Sequence, residues 1–457
     1  MDRSFLLVAS CVLGVAGCRS YEPRPLERDA HRAAWHARSV RSFVDQLELA
    51  GARPRNFDLD DGLDLDEAKA IALVLHPELR LARLEVSKAH IHAGHADIWQ
   101  DPTFGLTALA ITQDVPEPWV LIPNLTFTIP LSGRLEAERG AALARSSVLG
   151  EAAREAEWTL LWELEHAWAA WSAAEAQLEA WTEHVATVDG LARALVGLRE
   201  AGESSGVFAD FVGLEAGRAE LERERHEAER RAALARLRAL LGIAPEAALD
   251  LVPNLAAAAL GPTSYDDLER RSPELRRLRF DYLRAEETLR AAVAAQVPDL
   301  VIGPQFERDG GQTRVGLTGA LPVPVFHGNR HAIEEAEVER EIARGRVEAS
   351  YERLAGELAA ALERHAALDR SEQRLARHLV PAADRQLDRA RRLVELGEGD
   401  ARVLLESLQS AHALKLEVAE LRRDLAQASA DVRFLVGPEV PAIEPNDERI
   451  PSAHRHR

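Results

Sequence analysis

Side chains able to do chemistry are sparse in this chain, and their spacing does not suit catalysis. His90, His92 and His95 form the densest group of metal-ligating types. On a helix His92 and His95 share a face while His90 does not, so at most two imidazoles converge. Two ligands without a third make a poor metal site, and none is assigned here. The only methionine is Met1, which argues against a thioether relay for copper. No phosphate-cradling glycine loop or His-Glu-x-x-His pair occurs. Gly202-Glu203-Ser204-Ser205-Gly206 fits Gly-x-Ser-x-Gly by letter, but it breaks two helical runs and has no strand before it, as a nucleophile elbow needs. The chain is therefore expected to be no enzyme and to need no cofactor. Trp158, Trp162, Trp168, Trp171 and Trp181 recur at near-helical spacing and read as packing. Trp99 and Trp119 border extended segments and suit anchoring at a membrane interface.

With chemistry set aside, composition bounds the answer. The 457 residues are 46% hydrophobic and carry a formal net charge of −19, ample for a folded core and too acidic for a nucleic-acid binder. Alanine is abundant and aromatic residues are few, as in long, closely packed helices.

The organising feature is an internal duplication. Segments 102–134 and 298–330 both open on proline and close on arginine after a proline-rich exit, 196 residues apart. The pairs His76-Pro77 and Ser272-Pro273 keep the same step. A fixed offset over some fifty positions marks a repeat. Within each segment, apolar residues alternate with small or polar ones. Phe104, Leu106 and Ala108 are followed by Leu125, Phe127 and Ile129. Leu300, Ile302 and Phe306 are followed by Val315, Leu317 and Leu321. A period of two predicts β-strands with one oily and one wetter face. Each run is about ten residues, the length a tilted strand needs to cross a bilayer. On the strands alone, a pair of soluble hairpins is the favoured reading, because the signal of a membrane strand is weak per segment.

The rest is helical in pattern. A helix is expected from Asp64, a cap with Glu67 three residues on, to Trp99, interrupted at His76-Pro77. A proline-free run over 135–200 predicts a helix roughly 100 Å long at 1.5 Å per residue. Another covers 208–241 and stops at Gly242. The second half repeats the plan with helices over 265–297, 331–396 and 403–436. Two shorter helices end to end match one long helix in each half, so an elongated helical wall with a β end is expected.

The N-terminus carries Arg3, an apolar run and Val15-Ala16-Gly17-Cys18, too short for a membrane helix and suited to an export signal. Its last four residues resemble the lipobox of bacterial lipoproteins. That resemblance implies cleavage before Cys18, lipid on its sulfur and, with Arg19 rather than Asp following, sorting to the outer membrane. The expected divisions are a signal at 1–17, a lipid-anchored extended arm at 18–62, a first repeat at 63–242 with its hairpin at 102–130, a linker at 243–264, a second repeat at 265–437 with its hairpin at 298–322, and a tail at 438–457.

Four strands cannot close a barrel, and open edges are forbidden in lipid, where unpaired backbone groups find no water. Strands in lipid would need sister chains: two copies give eight strands, three give twelve. Here the chain resembles the TolC family of outer-membrane efflux proteins over nearly its whole mature length. The residues that carry the resemblance are Asp66-Glu67-Ala68 leading to His76-Pro77-Glu78-Leu79, the matching Ser272-Pro273-Glu274-Leu275, the exits at 130–134 and 322–330, and Leu396-Gly397-Glu398-Gly399 before Val403. The family usually has Asn where His76 and Ser272 stand. The exit at 322–330 further resembles the heavy-metal cation-efflux branch, with export of drugs or other solutes the alternative.

The resemblance implies a mainly α fold, with long antiparallel helices forming a trimeric α-barrel and four strands per chain completing a 12-stranded β-barrel. It implies a homotrimer in outer-membrane lipid that receives solute from an inner-membrane pump through a periplasmic membrane-fusion adaptor. It places gate carboxylates at Glu406 and Asp210, and tip turns for adaptor docking at Gly202, Gly206, Gly397 and Gly399. The rival reading is a coiled-coil scaffold lipoprotein of the periplasm, without a pore.

Overall fold

The structure, a computed structural model, describes residues 21–49, 60–113, 115–116, 118–200, 206–309, 311–326, 328–396 and 398–438. The lipobox, Cys18, Gly202, Gly397 and nearly all of the expected tail lie outside the described residues.

The first repeat contains α3 (Leu65–Leu75), α4 (Pro77–Ala93), β1 (Thr103–Ala110), β2 (Trp119–Ile129), α5 (Arg134–Glu200) and α6 (Gly206–Leu240). The second contains α7 (Tyr265–Arg271), α8 (Pro273–Ala294), β3 (Leu300–Asp309), β4 (Gln312–Ala320), α9 (Arg330–Arg374), α10 (Val380–Glu395) and α11 (Ala401–Val436). Ahead of both stand α1 (Arg28–His36) and α2 (Val40–Leu49).

Local chemistry sets these boundaries. The Glu67 N–H donates to Asp64 Oδ1 at 2.8 Å and the Asp64 N–H donates to Glu67 Oε2 at 3.1 Å, a reciprocal cap that starts α3. Pro77 and Pro273 each begin a new helix, because proline lacks the N–H an interior position must donate. The ends of α6 and α11 use one device twice. Gly242 and Gly437 have φ of +69° and +90°, and a Cβ there would lie 2.7 Å from the Leu75 carbonyl oxygen and 2.4 Å from that of Arg271. Only glycine permits both the left-handed turn and this close approach. Each return helix thus ends against the X-Pro break of its own repeat.

Two expectations need correcting. The arm is not simply extended: it contains α1 and α2. Val40, Phe43 and Val44 fall on one helical face and are buried with Ile71, Leu164, Trp168 and Leu241. The second long helix is not continuous either. Residues 375–379 form a π-helical turn, in which the Val380 N–H reaches the Leu375 carbonyl. Pro381 follows at once; its ring crowds the preceding turn, and the wider spiral accommodates it.

Apolar burial is spread along the length. One cluster lies at the α3–α4 break, one joins Leu268, Leu275, Leu354, Leu358, Val432 and Val436, and a third joins Val188, Leu195, Ala209, Val212 and Leu405. At 1.5 Å per residue α5 alone spans about 100 Å, so these clusters are stations along a wall.

Candidate functional site

The four strands form one antiparallel sheet in the order β1-β2-β3-β4, so the two hairpins of the duplication join through β2 and β3. Register sorts the side chains into two faces. Phe104, Leu106, Leu121, Leu125, Phe127, Leu300, Ile302, Phe306, Val315 and Leu317 share one face. Thr107, Asn124, Thr126, Thr128, Gln305, Glu307, Arg314 and Thr318 share the other. The apolar face is largely exposed in the single chain: Val315 is 70% exposed and Leu317 78%. β1 and β4 each have one edge without a partner strand among the described residues.

The central seam is tight. A Cβ on Gly303 would lie 1.8 Å from the Leu125 carbonyl oxygen, so β2 and β3 approach there as only glycine allows. Below the sheet, Arg134 donates to Asp299 at 2.8 Å and to Glu138 at 2.5 Å, tying the start of α5 to the entrance of β3. Both carboxylates hold the Arg134 guanidinium above its ordinary pKa. The duplicated exit arginine, Arg330, is not used this way. In its place Asn329, at φ 58°, donates to the Ala292 carbonyl at 2.7 Å.

At the far end, the α5–α6 and α10–α11 connections lie together, because Leu405 packs with Leu195, Ala209 and Val212. Glu406 and Asp210, each one residue beyond a buried member of that cluster, therefore reach the same end of the bundle. Each is exposed and paired: Arg402 donates to Glu406 at 3.3 Å and Arg199 to Asp210 at 3.2 Å. Gly399 sits in a bend where a Cβ would fall 2.6 Å from the Val394 backbone nitrogen, and the Glu398 N–H bonds the Leu393 carbonyl at 3.0 Å. That turn requires its glycine. Gly206 instead begins α6 and has room for a side chain.

Between the tip and the centre lies a group that sequence reasoning missed. His184 stacks on His412 with ring centroids 4.1 Å apart, and Trp181 meets His412 edge-on at 4.2 Å and stacks on His226 at 5.9 Å. The rings come from α5, α6 and α11. Burial pushes His412 down to about 4, with His184 and Lys415 adding repulsion, and burial also lowers His184. The nearby Lys415–Glu183 pair, at 2.6 Å, keeps the Glu183 carboxyl below its usual range. No local motif could have found this cluster, since its members stand 42 and 186 residues apart. His90, by contrast, has its ring nitrogen Nδ1 3.0 Å from the Ser146 hydroxyl. Among the described residues no group of three or more His, Cys, Asp or Glu could hold a metal ion.

The family profile described as outer membrane efflux protein matches residues 70–243 and 264–438, one match per repeat. No curated protein matches. Solved structures do. A membrane protein from Pseudomonas aeruginosa shares 20% identity at a TM-score of 0.70, over 82% of this chain and 93% of that one. CusC, in a structure concerned with folding and transmembrane channel formation, shares 18% at 0.70 over 82% and 93%. The open state of the Neisseria gonorrhoeae MtrE outer membrane channel shares 17% at 0.68 over 82% and 89%.

Proposed function

The chain belongs to the outer membrane efflux protein family, and from that premise we propose that this efflux channel works as a passive exit duct. Three copies close a barrel of twelve strands around a continuous lumen. The observation that carries the reading is the sheet: one face apolar and exposed, the other holding most of the polar side chains beside Leu109, Val120, Ile122 and Val301, and two unpaired edges at the end of a helix about 100 Å long. A lipid-facing sheet cannot keep open edges, because unpaired N–H and C=O groups find no water in hydrocarbon. Joining β4 of one copy to β1 of the next removes them. The apolar face then meets lipid, and Asn124, Thr126, Gln305 and Thr318 line water.

The helices extend into the periplasm, where the turns around Gly206 and Gly399, with Gly202 and Gly397, receive a membrane-fusion adaptor coupled to an inner-membrane pump. Lipid on Cys18 anchors the arm. Glu406 and Asp210 ring the periplasmic opening and concentrate cations. Arg402, on the same helix as Glu406, and Arg199 offset that negative charge within each chain. No step requires a catalytic residue.

Single-channel recording in planar bilayers tests this. Purified protein is expected to conduct, with Arg199→Ala plus Arg402→Ala raising conductance and Glu406→Gln plus Asp210→Asn lowering cation preference. A protein that never conducts, and that dissolves without detergent once its lipid is removed, is the scaffold.

A further inference from the structure

Among the described residues four charged side chains stand on the strands, and they are sorted by face. Glu307, Asp309 and Arg314 share the polar face, where Arg314 lies 3.0 Å from Glu307 and 3.9 Å from Asp309. Arg308 stands alone on the apolar face, opposite Leu121 on β2 and Thr313 on β4. It is exposed and has neither an ion pair nor a hydrogen bond among the described residues. Trp119 is its diagonal neighbour on that face and is also exposed.

An uncompensated guanidinium is unfavourable in hydrocarbon and tolerated near an interface. Leu300 and Arg308 are eight residues apart, which is about 27 Å along a strand and about 20 Å along the normal at a tilt of about 40°. The outward apolar band of such barrels is about 25 Å tall. Arg308 therefore emerges at the upper border of the band, on the side away from the helices, where lipid phosphates begin. Tryptophan is enriched at that level.

We infer that Arg308, with the Thr313 hydroxyl and Trp119 indole on the same face, forms a site for the phosphate group of an outer-leaflet lipid. The inference rests on the membrane placement of the sheet proposed above. The planar guanidinium suits two phosphate oxygens at once, whereas an ammonium offers only a point charge. Three such sites would ring the trimer.

The test is native mass spectrometry of the full chain in detergent with added bisphosphorylated lipid A, and with a phosphate-free diacylglycerol as control. Wild type should retain lipid A over diacylglycerol. Arg308→Gln should cut that retention at least five-fold, and Arg308→Lys should fall between. Arg314→Gln, on the opposite face, should leave it unchanged. Equal retention by wild type and Arg308→Gln, or an equal loss in Arg314→Gln, overturns the site while leaving the membrane sheet intact. Displacement by millimolar inorganic phosphate would mark a free-anion site and overturn the lipid assignment. A wild type that stays soluble without detergent and retains neither lipid overturns the site together with the membrane placement.

Discussion

The two repeats share a plan and differ in what surrounds their long helices. α5 buries seventeen residues, among them Leu160, Leu164, Trp168 and Trp171, with α3, α4, α6, α8 and α11 around it. α9 buries four, Ala336, Ala343, Leu354 and Leu358, and its continuation α10 buries only Ala390. Val338 and Ile342 of α9 are left exposed. One copy of the duplicated helix has become the hub of the protomer and the other its outer wall. Duplication thus fixes an order of elements without fixing which element is central. In the proposed trimer a neighbouring copy would cover the open side of α9, and the interruption at Pro381 falls on the wall, where fewer partners restrain the backbone.

Substitutions at equivalent positions should expose this difference. The largest effect is expected at Trp168, 1% exposed in the hub. Trp168→Ala should cost about 3–5 kcal/mol of stability, while Arg364→Ala, 196 residues on in the exposed wall, should stay within about 0.5 kcal/mol. Thermal unfolding in detergent measures both, and similar losses would erase the distinction between hub and wall.

Next comes Glu165, whose carboxylate receives Lys69 of α3 at 2.9 Å and Arg433 of α11 at 2.6 Å. Glu165→Ala takes the carboxylate from Arg433 and leaves Lys69 with Asp66 alone, at 3.0 Å, and should cost about 2 kcal/mol. The equivalent position, Ala361, has no such clamp to lose.

The histidine cluster is where both repeats contribute, and it should be sensitive to acid. His412 is held near 4, below the ordinary 6.5, so between those values the unfolded chain binds more protons than the folded one. Its contribution is full above about pH 6.5 and is lost as pH falls through 4. The loss should be about 1–2 kcal/mol after allowance for screening by water in the adjoining cleft. His412→Phe should flatten that part of the pH–stability curve; an unchanged slope would assign the acid sensitivity elsewhere.

The smallest effect belongs to the tip. Arg402 and Glu406 are 73% and 63% exposed, so Arg402→Ala should change stability by less than about 0.5 kcal/mol. Any change in conductance by that variant then reports the charge at the tip and not the folding of the chain.

Much of the fold was legible because its signals are periodic or stereochemical. The alternation around Phe104 and Leu300, the cap at Asp64, the breaks at Pro77 and Pro273 and the stops at Gly242 and Gly437 are local, and each stands where its chemistry requires. What was illegible depends on tertiary context. The helical arm was masked by the Arg- and Pro-rich sequence around it, although Val40, Phe43 and Val44 carry the i, i+3, i+4 spacing. The π turn follows from Pro381 inside a run otherwise favourable to helix. The unequal burial had a trace, since no tryptophan occurs after Trp181. The histidine cluster had none, because only folding brings residues 184, 226 and 412 together.

The central claim is that the sheet is completed by sister chains in a membrane. Light scattering of the detergent-solubilised full chain, corrected for bound detergent, tests it most directly. A protein mass of three chains that persists on dilution is the expected result. A single chain that stays monodisperse after the detergent is withdrawn would contradict it.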